Sequence, residues 1–287
     1  MVQSERLMER PHALTPDERA AWEEMGYVVR ENVFSRQENA RLQYVAEEVV
    51  AGHRCMPVVH IDRNAQVRDG QDGRSAIHAM HKIHHPSCYL PEFLARVRDE
   101  RLTDPLVDIL GPDILGINNA FIWKAPRIGL GFPWHQDKYY FRRRFKTDTT
   151  VGTWMAIDDA DEDNGCLYVM PGTHRQDISV HDELSGPQQT EFRRARAGRD
   201  EVGVPVPMRA GSVIWFHSHL LHKSTDNRST RFRRSYLSHY LSAQARWADP
   251  DRVGEGQQIM WVRGRTFPEC ISQVRRDVLP ATEASGV

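Results

Sequence analysis

Histidine is the residue type that carries chemistry in this chain, with 14 copies in 287 residues. His135-Gln136-Asp137 closes a β-like run in PWHQDKYYF. A His and an Asp two apart on a strand project to one face, so the pair could hold a metal ion from one side. A third ligand from another strand would complete a two-His, one-carboxylate facial triad. That triad leaves coordination positions open, as non-haem Fe(II) oxygenases require for O2 and a chelating cosubstrate. The motif is weak by itself, because a second one, His60-Ile61-Asp62, lies in a polar stretch with loop character. The segment GSVIWFHSHLLHKSTDNRSTRFRR offers three candidates for the third ligand, His217, His219 and His222. Spacing does not choose among them, since 217 and 219 also share a strand face.

The composition is that of a soluble globular protein, 40% hydrophobic and 27% charged with a formal net charge of −1. This balance excludes wholesale disorder. It also argues against electrostatic binding to nucleic acid or anionic membranes. No run approaches a membrane span, and MVQSERLMERPH lacks the apolar core of a secretory signal. The four cysteines, Cys55, Cys88, Cys166 and Cys270, form no CxxC pair, so neither a disulfide framework nor a cysteine zinc site is expected. A reduced, cytoplasmic setting is the default expectation.

The elements that must position the histidines change in texture along the chain. Thr15-Pro16-Asp17-Glu18 reads as a capping box that opens a helix ending near Gly26. Residues 27–34 read as a strand, and Ser35 with Glu38 opens a second helix to about Gly52. Residues 53–76 read as loop, and 87–111 as one or two helices from their apolar spacing. From 114 onwards short β-rich runs alternate with turn residues, which predicts a barrel or jelly roll. The expected fold is mainly β: a double-stranded β-helix (jelly roll) with flanking helices. It forms a single domain over 1–287, with core strands within 114–242 and an active-site loop at 173–203.

Three segments, PWHQDKYYF, WMAIDDADEDNGCLYVMPGTHR and LLHKSTDNRSTRFRR, together with the opening LTPDERAAWEEMGYVV, resemble the phytanoyl-CoA dioxygenase family of Fe(II)/2-oxoglutarate enzymes. The order and spacing match, and the resemblance runs from about Leu14 to the mid-260s. It implies that His135, Asp137 and His222 bind the iron. It places Arg233 on the distal carboxylate of 2-oxoglutarate. A planar guanidinium suits that role, because it pairs bidentately and stays charged. On a strand, Arg231 would share the face of Arg233 and Arg234 would not. Ser224 matches a further 2-oxoglutarate contact. Trp154 matches an aromatic near the cosubstrate, with plain core packing as the other reading. Lys82, in HAMHKIHHP, stands where a family lysine reaches the same cosubstrate. The histidines around it (His78, His81, His84, His85) read as a polar wall of the site's mouth rather than a second metal cluster. Asn164-Gly165-Cys166 and Pro171-Gly172-Thr173-His174 read as scaffold turns, with His174 and Arg175 placed where they can face the site.

The function implied is an Fe(II)-, 2-oxoglutarate- and O2-dependent dioxygenase that hydroxylates an unactivated C–H bond of a small molecule in specialised metabolism. Desaturation, cyclisation and epimerisation use the same cofactors, and a non-catalytic metal-binding jelly roll is the reading from another class. Chlorination is disfavoured, because Asp137 fills the position chloride would need. Two segments are expected to cover the site: 138–146 (KYYFRRRFK) and the polar 173–203 loop.

Overall fold

The computed structural model describes residues 10–64, 75–147, 149–183, 193–197, 201–249, 251, 258–271 and 274–279. Five α-helices are present among them: α1 (Pro16–Met25), α2 (Arg36–Val50), α3 (Pro91–Val97), α4 (Glu100–Leu110) and α5 (Lys138–Phe141). Both capping boxes form as the sequence predicts. Thr15 and Ser35 accept from the amides of Glu18 and Glu38, whose side chains reach back to the cap amides. Gly26 ends α1 at φ 84°, the left-handed geometry that glycine adopts without cost.

The strands in chain order are β1 (Tyr27–Arg30), β2 (Ile61–Arg63), β3 (Met80–His84), β4 (Ile114–Lys124), β5 (Phe132–His135), β6 (Phe145–Lys146), β7 (Val151–Ala156) and β8 (Leu167–Val169). They continue with β9 (His181–Asp182), β10 (Arg194–Ala195), β11 (Val204–Val206), β12 (Val213–His217), β13 (His222–Ser224), β14 (Arg233–Ser242), β15 (Arg246–Trp247) and β16 (Met260–Arg263). An eight-stranded sheet runs β1-β12-β7-β14-β4-β3-β2, with β16 also paired to β4. A four-stranded sheet runs β11-β8-β13-β5, and every pairing is antiparallel. This is the jelly-roll core with flanking helices that the short β-rich runs predict.

Strand alternation divides the large sheet into two faces. One face carries Phe121, Trp123, Trp215, Tyr236 and Tyr240, which pack with Trp22, Leu42, Val45, Phe93 and Leu106 of the helices. The other face carries Ala120, Ile122, Trp154, Phe216 and Leu237 towards the four-stranded sheet. The helices thus close one side of the large sheet and leave its other side to the site.

Three local expectations are corrected, and the 138–146 run, whose structure was left open, gains one. β1 stops at Arg30 rather than reaching residue 34. The 53–76 stretch is not all loop, because Ile61–Arg63 pairs with β3; residues 65–74 lie outside the described set. The 173–203 segment carries a paired β9 and β10 among its described residues. The 138–146 run begins as a helical turn and ends as a strand paired to β15. No helix among the described residues is long and apolar enough to cross a membrane.

Candidate active site

β5 and β13 lie side by side in the four-stranded sheet, and the register sets His135 opposite His222. Their rings sit 4.2 Å apart between centroids. Asp137 does not continue β5. Its backbone is in the right-handed helical region, at the head of α5, so a turn and not strand alternation brings its carboxylate round to the histidines. His135 Nε2 lies 3.6 Å from Asp137 Oδ1, and His222 Nε2 lies 3.8 Å from Asp137 Oδ2. One ligand atom from each of the three residues falls within 4.8 Å of the others. Among the described residues no other His, Cys, Asp or Glu group has this arrangement.

Each histidine is oriented by its own chain. His135 Nδ1 donates to the Pro133 carbonyl at 2.7 Å, and His222 Nδ1 donates to the Leu220 carbonyl at 3.0 Å. A proton on Nδ1 leaves the Nε2 lone pair free, and both Nε2 atoms face the shared point. Burial, reinforced by His222, pushes His135 down to about 3, so its ring is neutral near pH 7. Burial alone would raise the Asp137 carboxyl. The neighbouring histidines and a hydrogen bond from His239 outweigh it and hold Asp137 below the usual carboxylate range. Two imidazoles with Nδ1 bonded to their own chain and a carboxylate, all buried, make a donor set suited to a divalent iron.

Two residues that the sequence reading passed over complete the carboxylate's surroundings. His239 on β14 donates from Nε2 to Asp137 Oδ2 at 2.7 Å. Asn118, directly across on β4, donates to His239 Nδ1 at 3.2 Å and so fixes which ring nitrogen carries the proton. Gln136, between the two motif residues, accepts from the Ser179 amide at 2.8 Å and donates to the His219 carbonyl at 2.8 Å. It ties the site to the 173–183 segment.

The triad opens into a cavity of about 330 Å³ between the two sheets. Lys82, Trp154, Ser224 and Arg233 all line it, so the structure brings together the three triad residues and the four cosubstrate residues that the resemblance implies. Arg233 is 1% exposed and lies with its guanidinium carbon 5.4 Å from the Trp154 ring centroid. It donates to Ser235 at 2.8 Å, while its Nε is buried without a hydrogen-bond partner among the described residues. Burial pushes its pKa down to about 10, which leaves it charged at neutral pH. The rival arginines are committed elsewhere: Arg231 pairs with Asp161, and Arg234 with Asp158 and Glu47. Arg231 does not share the Arg233 face as expected, because β14 begins only at Arg233 and Arg231 sits exposed in the preceding turn.

The remaining histidines separate. His60 contacts Tyr89 and Gln258, and Asp62 accepts from His84 at 2.7 Å, so the second His-x-Asp pair does not converge. His217 packs among Trp22, His174 and His219, away from the cavity lining. His84 and His85 do line the cavity, whereas His78 lies against Phe232 and His81 against Phe132. His174 and Arg175 are not among the lining residues. His85 has a left-handed backbone, φ 54°, and a buried Nδ1 with no hydrogen-bond partner among the described residues.

The two segments expected to cover the site touch each other close to His135. The Tyr139 ring stacks on His181 at 4.0 Å, and the Arg193 amide donates to the Tyr140 hydroxyl at 3.0 Å. Tyr140 also lines the cavity.

A model of the phytanoyl-CoA dioxygenase family (PhyH) matches residues 22–235. Human peroxisomal phytanoyl-CoA dioxygenase is 28% identical over 266 residues, spanning 83% of this chain and 71% of the relative. A Caenorhabditis elegans homolog of phytanoyl-CoA dioxygenase domain-containing protein 1 is 26% identical over 275 residues, 83% of this chain and 95% of the relative. Among solved structures, EctD from S. alaskensis with 2-oxoglutarate and 5-hydroxyectoine superposes with a TM-score of 0.69 at 20% identity, covering 92% of this chain and 88% of the other. The non-heme alpha-ketoglutarate-dependent carbocyclase SnoK from nogalamycin biosynthesis superposes with a TM-score of 0.62 at 19% identity, covering 84% and 89%. The structural likenesses establish the jelly-roll fold. With a family match over most of its length, the chain belongs to the phytanoyl-CoA dioxygenase family of Fe(II)- and 2-oxoglutarate-dependent dioxygenases.

Proposed function

We propose that His135, Asp137 and His222 hold the iron, that Arg233 and Ser224 receive the distal carboxylate of 2-oxoglutarate, and that the chain oxidises a C–H bond of a small molecule. One observation carries the reading. The converging triad and a buried arginine whose Nε has no hydrogen-bond partner among the described residues open into the same cavity. When bound, iron, 2-oxoglutarate and O2 supply oxidative decarboxylation to succinate and CO2, coupled to oxidation of an unactivated C–H bond.

The chain's own residues bind, orient and exclude. The carbonyls of Pro133 and Leu220 hold the two imidazoles in one tautomer, and His239 holds the carboxylate ionised. Arg233 supplies a permanent positive charge in a low-dielectric setting, where a charge-assisted pair is strong. Trp154 walls the guanidinium, and Lys82, across from Ile122 on β4, adds a cation to the same space. Leu167, Phe216, Leu237, Ile122 and Phe132 keep the walls apolar and so limit water. The cavity must hold 2-oxoglutarate as well as a substrate, which favours a small one. The relatives' names point the same way: 5-hydroxyectoine beside EctD, and nogalamycin biosynthesis for SnoK. Specialised metabolism is therefore the proposed setting and hydroxylation the proposed outcome.

The test is reconstitution with Fe(II), 2-oxoglutarate and O2, reading succinate release. His135→Ala, Asp137→Ala and His222→Ala should each lose iron and succinate formation while the circular dichroism spectrum stays native. His60→Ala and His219→Ala should keep both. Iron retained stoichiometrically in Asp137→Ala and His222→Ala would overturn the assignment.

A further inference from the structure

Behind Arg233 lies a second buried cation that the chemistry described so far does not use. The register of β14 on β4 sets Lys124 directly opposite Arg233. Opposed residues of an antiparallel pair point to the same face, and like charges there repel. Both side chains are buried, Lys124 at 0% and Arg233 at 1% exposure. Neither forms an ion pair among the described residues. Asp226, the carboxylate whose charge acts on Lys124, accepts instead from the Gly131 amide at 2.6 Å. A buried cation without a counter-ion is costly, so two side by side call for an anion in place.

The hydrogen bonds of Lys124 show how it would act. Its Nζ donates to Ser224 Oγ at 2.7 Å and to the Thr225 carbonyl at 2.5 Å. The Phe132 amide also donates to Ser224 Oγ, at 3.3 Å. Both acceptor positions of the Ser224 hydroxyl are then occupied, and its own proton has to be given away. Ser224 lines the cavity that Arg233 lines, and its O–H finds no acceptor among the described residues. The lysine stem is seated by two glycines. A Cβ on Gly129 would fall 2.5 Å from Lys124 Cα, and one on Gly165 would fall 3.1 Å from its Nζ and 2.3 Å from the Thr225 carbonyl.

We infer that Lys124 is a positioning residue for the cosubstrate: it turns the Ser224 hydroxyl into an obligate donor aimed at the distal carboxylate of 2-oxoglutarate and places a second positive charge behind Arg233. This rests on the reading of Arg233 as the carboxylate anchor. Burial and the adjacent Arg233 both push the Lys124 pKa well below its ordinary value, and an anion in the cavity would relieve that pressure.

The test compares two keto acids that share the metal-chelating end and differ at the other. Binding of 2-oxoglutarate and of 2-oxobutyrate, which has no distal carboxylate, is measured by calorimetry on protein loaded with an inert divalent metal. Lys124→Met should weaken 2-oxoglutarate about tenfold or more, the scale of a charge-assisted hydrogen bond, and leave 2-oxobutyrate within about twofold. A role confined to packing would weaken both equally, and that outcome overturns the inference. Ser224→Ala leaves the lysine stem undisturbed and should show the same selective loss; equal effects on both keto acids would again overturn it, even if Lys124→Met did not fold. In the Ser224→Ala background the further effect of Lys124→Met should shrink, since the two act as a unit. Arg233→Ala separates this inference from the one it rests on. If Arg233→Ala shows no preference between the keto acids, the anchor assignment fails; if it does and Lys124→Met does not, only the role of Lys124 fails.

Discussion

Replacing His239 by leucine is the most informative single change to the site, because it removes a hydrogen bond and no proposed ligand. His239 is 2% exposed and Asp137 is 6% exposed, and the 2.7 Å bond between them lies wholly out of water. Leucine leaves Asp137 Oδ2 as a buried carboxylate oxygen without this donor. Hydrogen bonds to charged groups are worth about 1.5–3 kcal/mol, and second-layer partners of metal ligands typically change affinity about 10- to 100-fold. At about 1.4 kcal/mol per decade the two ranges agree. We expect His239→Leu to weaken Fe(II) binding about 10- to 100-fold, measured by anaerobic competition against a chromogenic chelator. The change should leave 2-oxobutyrate binding to the metal-saturated protein within about threefold. His239→Gln should recover most of the loss. Its amide can donate to Asp137 and accept from Asn118, the two bonds that the histidine makes. If His239→Leu binds iron as the native protein does, or if glutamine is no better than leucine, the carboxylate is not held by this donor and the argument fails.

Three further outcomes follow from the same geometry. Arg233→Ala should raise the apparent KM for 2-oxoglutarate by about 10-fold or more, while Arg231→Ala and Arg234→Ala, whose guanidiniums are paired with Asp161 and Asp158, should change it little; equal effects would refute the choice of arginine. Substrate added with 2-oxoglutarate and an inert metal should slow hydrogen exchange in 138–146 and in 179–182, because Tyr139 and His181 are already stacked there, and unchanged exchange in both would remove them as the cover. Glu18, held at about 2 by its hydrogen bonds to Arg30, stabilises the fold fully above its ordinary value of 4.5 and loses that contribution as pH falls towards 2. Glu18→Gln should therefore destabilise the fold by within about 1 kcal/mol at pH 7, because the pair is partly solvated, and hardly at all at pH 2, read as a melting temperature lowered only at the higher pH.

How far the site could be read from the sequence depended on how local each signal is. His135 and Asp137 are two residues apart, and a short motif shows them. The reason given for their convergence was incomplete, since strand alternation does not place Asp137; the turn into α5 does. His222 needed a family resemblance, because three histidines lie within six positions and only tertiary packing sends His217 towards Trp22 instead. His239 is 102 positions from Asp137, and no spacing rule links them. A signal was nevertheless present. In RRSYLSHYL the period of two that puts Arg233 on a face also puts 235, 237 and 239 on it, and each lies opposite an even-numbered β4 residue up to the bulge after His239. Following that strand one turn further would have named both His239 and its partner Asn118.

That shared face explains why the chemistry is ordered along the cavity rather than scattered round it. Reading up β14 and β4 together, Arg233 stands opposite Lys124, Ser235 opposite Ile122, Leu237 opposite Ala120 and His239 opposite Asn118. Cations occupy one end, small and apolar residues the middle, and the hydrogen-bonded pair that grips Asp137 the other end. A keto diacid is polar at both ends and slender between them, so the same ladder that sets the sheet register also sets which way round such a molecule can lie. The third strand extends the ladder, with Lys82 opposite Ile122 and His84 opposite Ala120, and His85 follows at the left-handed turn with its Nδ1 unbonded among the described residues. Strain and an unsatisfied buried nitrogen at the same residue are the marks of a position kept for a contact outside the chain. His85 lines the cavity and follows directly on His84, which faces Ala120, and we propose that it meets the substrate rather than the cosubstrate. His85→Leu should accordingly raise the substrate KM while leaving substrate-free succinate release unchanged. A fall in that uncoupled release with unaltered substrate KM would place His85 with the cosubstrate instead and break the ordering proposed along the ladder.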